Sequence, residues 1–265
     1  MLSGKNGGST VRFVSETEIR VADVVLDLDS AAAMFSGPPT RHRFPMLKSA
    51  EMVRLYDRVL GGRRIEGVLE LGIFKGGSCA FFNALLRPRV HAAVDFATEP
   101  WPALNELAAD VKADGRVLEL RYGLNQTDEA GLSALADRLF TDGNGESILD
   151  LVVDDASHQC DYTRQSLNVL LPRLRAGGVY AVEDWGWAHY YRDACNPWDY
   201  PTSTGPATTN LIFELTMLCA GRDDIVSEIM ITPDVVLAVR GSAALPMPFD
   251  VASSYRLPGR AFRMI

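Results

Sequence analysis

Two short apolar segments of the chain each end in a pair of acidic residues. LDLVVDD (149–155) ends in two aspartates, GVYAVED (178–184) ends in a glutamate and an aspartate, and His158 lies three residues after the first pair. Carboxylates gathered within about 5 Å repel one another by about 3 kcal/mol per pair at an effective dielectric constant near 20. A hard divalent cation, Mg²⁺ or else Mn²⁺ or Ca²⁺, would offset this repulsion, with His158 as a base beside it. The alternative is that these acids only cap helices or face water.

A second pattern with chemical potential is the glycine-rich segment GVLELGIFKGGSCAFF (67–82). It predicts a strand, a tight turn and a helix, an arrangement in which backbone approaches a ligand closely and free N–H groups point at it. The glycine spacing is that of neither a dinucleotide-binding turn nor a phosphate-binding loop. Glu70, before the turn, disfavours a pyrophosphate and favours a cofactor with a positive end. Asp95, at the end of the next apolar segment, could accept hydrogen bonds from ribose hydroxyls.

The elements that must position these residues alternate regularly. Apolar segments of about five residues alternate with helical patterns from residue 67 to residue 184, which predicts a parallel, doubly wound α/β sheet covered on both faces by helices. SEIMITP (227–233) and VVLAVRG (235–241) predict a terminal antiparallel hairpin. Because the carboxyl ends of neighbouring parallel strands lie at one edge of the sheet, we expect the two acidic pairs to meet there.

Composition excludes several classes of function. The 265 residues fit one large domain or one and a half, and the formal charge of −8 argues against a nucleic-acid partner. An apolar run long enough to span a bilayer and a signal peptide at the N-terminus are both missing from the sequence, which predicts a cytoplasmic protein without a membrane partner. The four scattered cysteines predict reduced, buried thiols.

The combination of ELGIFKGGS with VDF resembles the class I S-adenosylmethionine-dependent methyltransferases. The resemblance implies a Rossmann-like seven-stranded sheet of order 3-2-1-4-5-7-6 and S-adenosylmethionine (SAM) as the cofactor. It places Glu70 near the methionine amine, Asp95 on the ribose, and Asn125 or Gln126 near the adenine. The complete set of implied cofactor-binding residues is Glu70, Gly72, Lys75, Gly76, Gly77, Ser78, Asp95, Asn125, Gln126 and Asp154, although Asp154 has the alternative role of shaping its turn.

DDASH followed by EDW resembles one branch of these enzymes, the metal-dependent sugar O-methyltransferases. This branch includes macrocin-type, mycinamicin-type and rhamnosyl O-methyltransferases and proteins named cephalosporin hydroxylases. The resemblance covers about residues 40 to 240. It implies that Asp155, Glu183 and Asp184 bind Mg²⁺ and that His158 is the general base. The chain departs from the usual D-D-G-S-H at Ala156, which keeps every functional group.

A metal and a base together suit an aliphatic hydroxyl or a catechol-like diol. The pKa of an aliphatic hydroxyl lies near that of water, about 15.7, and histidine titrates near 6.5, so proton transfer between them is uphill by about 12 kcal/mol without help. We therefore predict a Mg²⁺-dependent, SAM-dependent O-methyltransferase acting on a sugar hydroxyl of a glycosylated natural product. The alternatives are a protein of the same fold with other chemistry, such as N-methylation or assistance to a hydroxylation, and a non-catalytic SAM-binding subunit.

Two segments flank this predicted catalytic region. Residues 185–208 form a polar, aromatic-rich loop whose side chains either contact the small-molecule substrate or pack the loop onto the body. The tentative substrate residues in it are Trp185, Trp187, His189, Tyr190 and Trp198. Residues 1–39 are predicted to be a partly disordered or β-rich extension that mediates assembly into a homo-oligomer, with the methyltransferase domain at 40–265.

Overall fold

The computed structural model describes residues 11–28, 37–189 and 205–262. The first ten residues and the segment 29–36 of the predicted extension lie outside the described residues, as does most of the predicted substrate loop. The chain divides into two compact units. Residues 2–125 and 148–151 form one unit, and residues 126–147 and 152–265 belong to the other.

The first unit begins with a small four-stranded sheet. Its strands, in the order 1-2-3-4, are β1 (Val11–Phe13), β2 (Glu18–Val21), β3 (Val24–Asp27) and β4 (Arg43–Pro45). The first three pair antiparallel, and β3 pairs parallel with β4. The Arg43 guanidinium donates to Asp27 at 2.6 and 2.8 Å and to Glu18 at 3.0 Å, which ties β4 to its neighbours. The small sheet therefore includes residues on both sides of the predicted boundary at residue 39.

Alternating helices and strands make up the rest of the first unit. They are α1 (Ala50–Leu60), β5 (Gly67–Leu71), α2 (Gly77–Leu86), β6 (Val90–Asp95), α3 (Pro102–Ala113) and β7 (Val117–Tyr122). Ser49 begins α1, since its side chain accepts a hydrogen bond from the Met52 N–H at 3.1 Å. Strand β5 pairs parallel with β6, which pairs parallel with β7. Every residue of β5 is buried, as expected for a strand covered on both faces.

The second unit contains the remaining elements. They are α4 (Glu129–Leu139), the end of β8 (Leu149–Asp154), α5 (Cys160–Leu170), β9 (Leu174–Glu183), α6 (Thr209–Gly221), β10 (Val226–Ile231) and β11 (Val235–Arg240). The sequence predicts a helix over 162–175, but α5 ends at Leu170 and a 3₁₀ turn, Leu171–Arg173, follows it. Pro172 lacks a backbone N–H and cannot continue the α-helical hydrogen bonds, which accounts for the early end.

Strands β5 to β11 form one seven-stranded sheet with the order β7-β6-β5-β8-β9-β11-β10. Counted from β5, this is 3-2-1-4-5-7-6, so the predicted sheet order is confirmed. The predicted terminal hairpin is also confirmed, because β10 and β11 pair antiparallel and β11 pairs antiparallel with β9. Among the described residues, none of the helices is both long and apolar enough to cross a lipid bilayer.

Candidate functional site

Three of the predicted site residues converge in the second unit. Asp155 directly follows β8, Asp184 directly follows β9, and His158 lies in the turn between β8 and α5. One ligand atom from each of the three lies within 4.8 Å of the others, and all three side chains are half-buried. We call Asp155, His158 and Asp184 the acid–histidine group. Two carboxylate oxygens at this spacing fit a divalent cation that keeps other positions open for water or substrate oxygens, and the imidazole lies beside them as a candidate base.

Glu183, the third predicted metal ligand, is the last residue of β9 and is 2% exposed. It pairs in register with Val235 of β11. Among the residues that the structure describes, the acid–histidine group does not include it. Successive side chains of a strand point to opposite faces, so two adjacent acids at a strand end naturally differ in surroundings.

Two residues of the acid–histidine group have an uncommon backbone conformation. Asp184 and His158 have φ values of 50° and 55°, in the left-handed region that favours glycine. Such conformations cost about 1–3 kcal/mol each and persist only where the surroundings enforce them. The Asp184 N–H donates to the Asp234 carbonyl at 2.8 Å, which holds Asp184 against the turn between β10 and β11.

The His158 side chain lies against an aromatic residue of the predicted substrate loop. Its imidazole stacks on the Trp187 indole, with ring centroids 4.8 Å apart and planes 25° apart. The Thr208 hydroxyl donates to the His158 carbonyl at 2.9 Å. His189 contacts the Thr209 hydroxyl through Nε2. Trp187, before the segment 190–204, and Thr208, after it, therefore both contact His158. His189 and Thr209 contact each other across the same segment.

The remaining predicted substrate residues are placed differently. The Trp185 indole N–H donates to the Thr232 carbonyl at 2.8 Å, so its polar edge is used in fixing the turn between β10 and β11. Tyr190 and Trp198 lie outside the described residues.

Asp154 lies at the end of β8 and is 2% exposed. Its Oδ2 accepts hydrogen bonds from the Ser166 hydroxyl at 2.7 Å and from the Tyr180 hydroxyl at 3.2 Å. Burial raises the pKa of Asp154 to about 6, against the lowering effect of the Ser166 hydrogen bond and of nearby His158. These contacts with α5 and β9 favour a supporting role for Asp154 over direct contact with a cofactor.

The predicted cofactor turn lies in the first unit. We call residues 72–78 the glycine turn. Gly72 and Gly76 have φ values of 97° and 80°, so both need the freedom of glycine. Asp95, at the end of β6, accepts hydrogen bonds through Oδ2 from the N–H groups of Ile73 and Phe74 at 2.9 and 3.1 Å. Asp95 is half-buried and therefore also organises the turn that it would complete as a ribose-binding residue.

The other predicted cofactor residues differ in exposure. Ser78 is half-buried, Asn125 is exposed and Gln126 is buried. Lys75 is buried, with its Nζ 5.6 Å from the centre of the Phe74 ring.

Glu70 belongs to a buried hydrogen-bonded cluster that sequence reasoning missed. Its Oε1 lies 2.6 Å from His91 Nε2, and both side chains are almost completely buried. Asn83 Nδ2 lies 2.6 Å from His91 Nδ1 and also donates to the Cys79 carbonyl at 3.0 Å. An amide nitrogen only donates, so Nδ1 of His91 accepts and its Nε2 carries the proton toward Glu70. His91 sits on the strand that pairs with the strand of Glu70, and that neighbouring position is the only sequence signal for the contact.

Glu70, Cys79 and His91 of this buried cluster each offer one possible ligand atom within 4.8 Å of the others. Burial and the nearby Glu70 carboxylate raise the pKa of the Cys79 thiol well above its ordinary value. The imidazole nitrogens are engaged with Glu70 and Asn83. Cys79, Cys160 and Cys219 are free thiols, and Cys195 lies outside the described residues.

No protein-family model matches the chain. A 60-residue segment, 23% of the chain, is 38% identical to 8-demethyl-8-alpha-L-rhamnosyl tetracenomycin-C 2'-O-methyltransferase from Streptomyces olivaceus. A 42-residue segment, 16% of the chain, is 43% identical to demethylmacrocin O-methyltransferase from Streptomyces fradiae. These matches span only 14% and 10% of the lengths of the two relatives.

Among solved structures, the chain is similar to the MycE methyltransferase from the mycinamycin biosynthetic pathway in complex with Mg, SAH and mycinamycin VI. The likeness has a TM-score of 0.51 and 21% sequence identity, and it covers 73% of this chain and 49% of that one. The local sequence matches thus support the resemblance to O-methyltransferases that the motifs indicate, and the likeness to the solved structure concerns the fold alone. The sheet order, the glycine turn and this likeness together show that the chain has the class I SAM-dependent methyltransferase fold.

Proposed function

We propose that the chain is a divalent-metal-dependent, SAM-dependent O-methyltransferase that acts on a sugar hydroxyl of a glycosylated natural product. The observation that carries this proposal is the acid–histidine group, in which two carboxylates and an imidazole converge within 4.8 Å. The relatives with local sequence matches are named for O-methylation of a rhamnosyl tetracenomycin and of demethylmacrocin, and the rhamnosyl group in the first name supports a glycosylated acceptor.

The residues of the acid–histidine group have two different roles in this proposal. Asp155 and Asp184 hold the cation, and the motif resemblance nominates Glu183 as the third carboxylate. A divalent cation held there would supply Lewis acidity, which would lower the pKa of the substrate hydroxyl and favour one orientation of the substrate. Methyl transfer from the SAM sulfonium to the hydroxyl oxygen releases one proton, which a ring nitrogen of His158 accepts. Trp187 restrains the imidazole from one face.

The glycine turn and its neighbours bind the cofactor in this proposal. Residues 72–78 approach SAM with their backbone, since the left-handed glycines open the turn. Asp95 binds the ribose hydroxyls while it holds the N–H groups of Ile73 and Phe74. The motif resemblance nominates the buried Glu70 for the methionine amine and the exposed Asn125 for the adenine.

Trp185, Trp187 and His189 remain proposed substrate contacts, together with Tyr190 and Trp198 outside the described residues. Assembly into a homo-oligomer through residues 1–39 and a cytoplasmic location stay predictions.

Metal binding provides the first test. Titration of the purified chain with Mn²⁺, followed by electron paramagnetic resonance, should give one site. Asp155→Asn and Asp184→Asn should each weaken the affinity of this site for Mn²⁺ at least about tenfold, because each variant removes one ligating charge. Asp223→Asn, at an exposed acid of the same unit, is the matched control and should change nothing. Glu183→Gln then decides whether the third carboxylate contributes.

Turnover provides the second test. With SAM, Mg²⁺ and glycosylated acceptors, the chain should transfer methyl groups, and chelation of the metal should abolish the reaction. His158→Ala should lower kcat by about 10²- to 10⁴-fold, the range for loss of a general base, with little change in metal affinity. Ordinary turnover in that variant would refute the role of His158. SAM binding without any effect of metal would instead favour N-methylation, a hydroxylation partner or a non-catalytic subunit.

A further inference from the structure

Gln126 bridges the two ends of the turn that carries the metal-binding aspartate. Its side chain is 6% exposed. Its Oε1 accepts a hydrogen bond from the Ser157 N–H at 3.0 Å, and its Nε2 donates to Asp154 Oδ1 at 3.4 Å. Asp155 lies between these two contacts, and His158 follows immediately. A primary amide suits this position because it offers one acceptor and one donor at adjacent atoms.

The contact with Asp154 connects this turn to the interior of the second unit. Oδ2 of Asp154 accepts from Ser166 on α5 and from Tyr180 on β9, at 2.7 and 3.2 Å. The Tyr180 hydroxyl also lies 3.4 Å from Ser166 Oγ. Asp154 is therefore fixed from the side of the core, and Gln126 transmits that fixed position to the backbone of Ser157.

His158 needs such support. Its φ of 55° is uncommon for a residue with a side chain and must be enforced by contacts on either side. The Ser157 N–H is held by Gln126 before it, and the His158 carbonyl is held by the Thr208 hydroxyl after it. Loss of either contact frees the peptide groups that aim Asp155 and His158 at Asp184.

We propose that Gln126 is a positioning residue that fixes the turn from Asp154 to His158, so that Asp155 and His158 converge with Asp184. This inference rests on the proposed metal site and replaces the predicted adenine contact of Gln126, since both polar atoms of its side chain already bond to the turn. Asn125, exposed and adjacent, stays the residue proposed for the adenine.

The test compares Gln126→Met with Asn125→Ala. Methionine keeps the length and apolar stem of glutamine and removes both hydrogen bonds. Mutation of a residue that hydrogen-bonds to the surroundings of a metal ligand typically lowers metal affinity by about 10- to 100-fold. Gln126→Met should therefore weaken Mn²⁺ binding by at least about tenfold. The affinity of this variant for S-adenosylhomocysteine, measured by calorimetry without metal, should stay within about twofold of the wild type, because Gln126 does not contact the cofactor in this proposal. Asn125→Ala should show the reverse pattern.

A wild-type Mn²⁺ affinity in Gln126→Met would overturn the inference, as would a loss of cofactor affinity alone, which would return Gln126 to the adenine. Amide hydrogen exchange at Ser157 separates this outcome from failure of the proposed function. Should the wild-type chain bind no Mn²⁺, the metal proposal fails, and the exchange rate then decides the positioning role. Exchange at least about tenfold faster in Gln126→Met supports the role, because the Ser157 N–H loses its acceptor, and an unchanged rate refutes it.

Discussion

The imidazole of His158 and the indole of Trp187 form a stacked pair, with ring centroids 4.8 Å apart. Trp187 begins the 3₁₀ turn Trp187–His189, three residues after Asp184. The backbone N–H of Trp187 donates to the Asp184 carbonyl at 3.1 Å. One residue thus contacts the proposed base through its side chain and a proposed metal ligand through its backbone. The position of His158 and the conformation after β9 are therefore coupled.

Trp187→Ala should lower kcat about two- to tenfold, because an aromatic pair contributes about 0.5–1.5 kcal/mol and about 1.4 kcal/mol corresponds to a factor of ten. Trp187→Phe keeps a stacking ring and should retain most of the activity. Steady-state kinetics with a glycosylated acceptor measure both. An equal rise of KM in the two variants, at unchanged kcat, would show that the indole contacts the substrate and does not restrain His158.

His91→Ala should destabilise the fold strongly, because the buried Glu70 carboxylate then loses the hydrogen bond that it accepts from the His91 Nε2–H. Removal of one partner of a buried charged hydrogen bond costs about 3–5 kcal/mol in the free energy of unfolding. Urea denaturation measures this change. His91→Gln keeps a donor at the same end of the side chain and should recover part of the loss. A free energy of unfolding unchanged in His91→Ala would mean that water replaces the imidazole at no cost.

Asp154 should make the free energy of unfolding depend on pH. Its folded pKa of about 6 lies above the value of about 3.9 for an unfolded aspartate. Between about pH 4 and pH 6 the folded state therefore binds more protons, and this contribution to the free energy of unfolding falls as pH rises through that window. About two pKa units correspond to about 3 kcal/mol.

Asp154→Asn removes this titration. The free energy of unfolding of the variant minus that of the wild type should therefore rise by up to about 3 kcal/mol between pH 4 and pH 7. Urea denaturation in a chelating buffer measures both proteins without a bound ion. Asp223→Asn, at an exposed acid, is the control. A constant difference across the pH range would contradict the raised pKa.

Gly77 is required by packing in the first unit. A Cβ at this position would meet the carbonyl oxygen of Pro45 and would lie 2.7 Å from the Met46 Cβ, so backbone would have to move. Gly77→Ala should lower the free energy of unfolding by about 1–3 kcal/mol, as overpacking does. Gly143→Ala, where a Cβ meets nothing within 4 Å, should stay within about 0.5 kcal/mol of the wild type. A Gly77→Ala protein of normal stability that loses affinity for SAM would show that the cofactor, and not packing, requires the glycine.

Much of the fold could be predicted because its signals are local. The segments at 67–72 and 149–153 are nearly continuous hydrophobic runs without the alternation of a half-exposed strand, and the helical patterns between such segments favour a parallel sheet that is buried on both faces. The early end of α5 shows the limit of this reasoning. The apolar period continues through Leu174, but Pro172 breaks the helical hydrogen bonds before it.

The candidate site could be predicted only in its ingredients. The acids after β8 and β9 are visible as charge at the ends of apolar segments. Nothing in the sequence near Gln126 indicates that its amide bonds to Ser157, 31 positions later, because that contact depends on how the turn after β8 folds back. The partnership of Glu70 with His91 is similar, since it depends on the register between two strands.

The amino-acid sequence by itself determined which alternating strands and helices form and the presence of carboxylates and a histidine at two strand ends, because hydrophobic period and turn chemistry act over a few residues. The order of the strands was implied by the motif resemblance to class I methyltransferases. Only the tertiary structure decided that Asp155 and Asp184 converge with His158 while their chain neighbours Asp154 and Glu183 are buried. Adjacent residues of a strand face opposite ways, and the left-handed turns at His158 and Asp184 are fixed by partners distant in the chain.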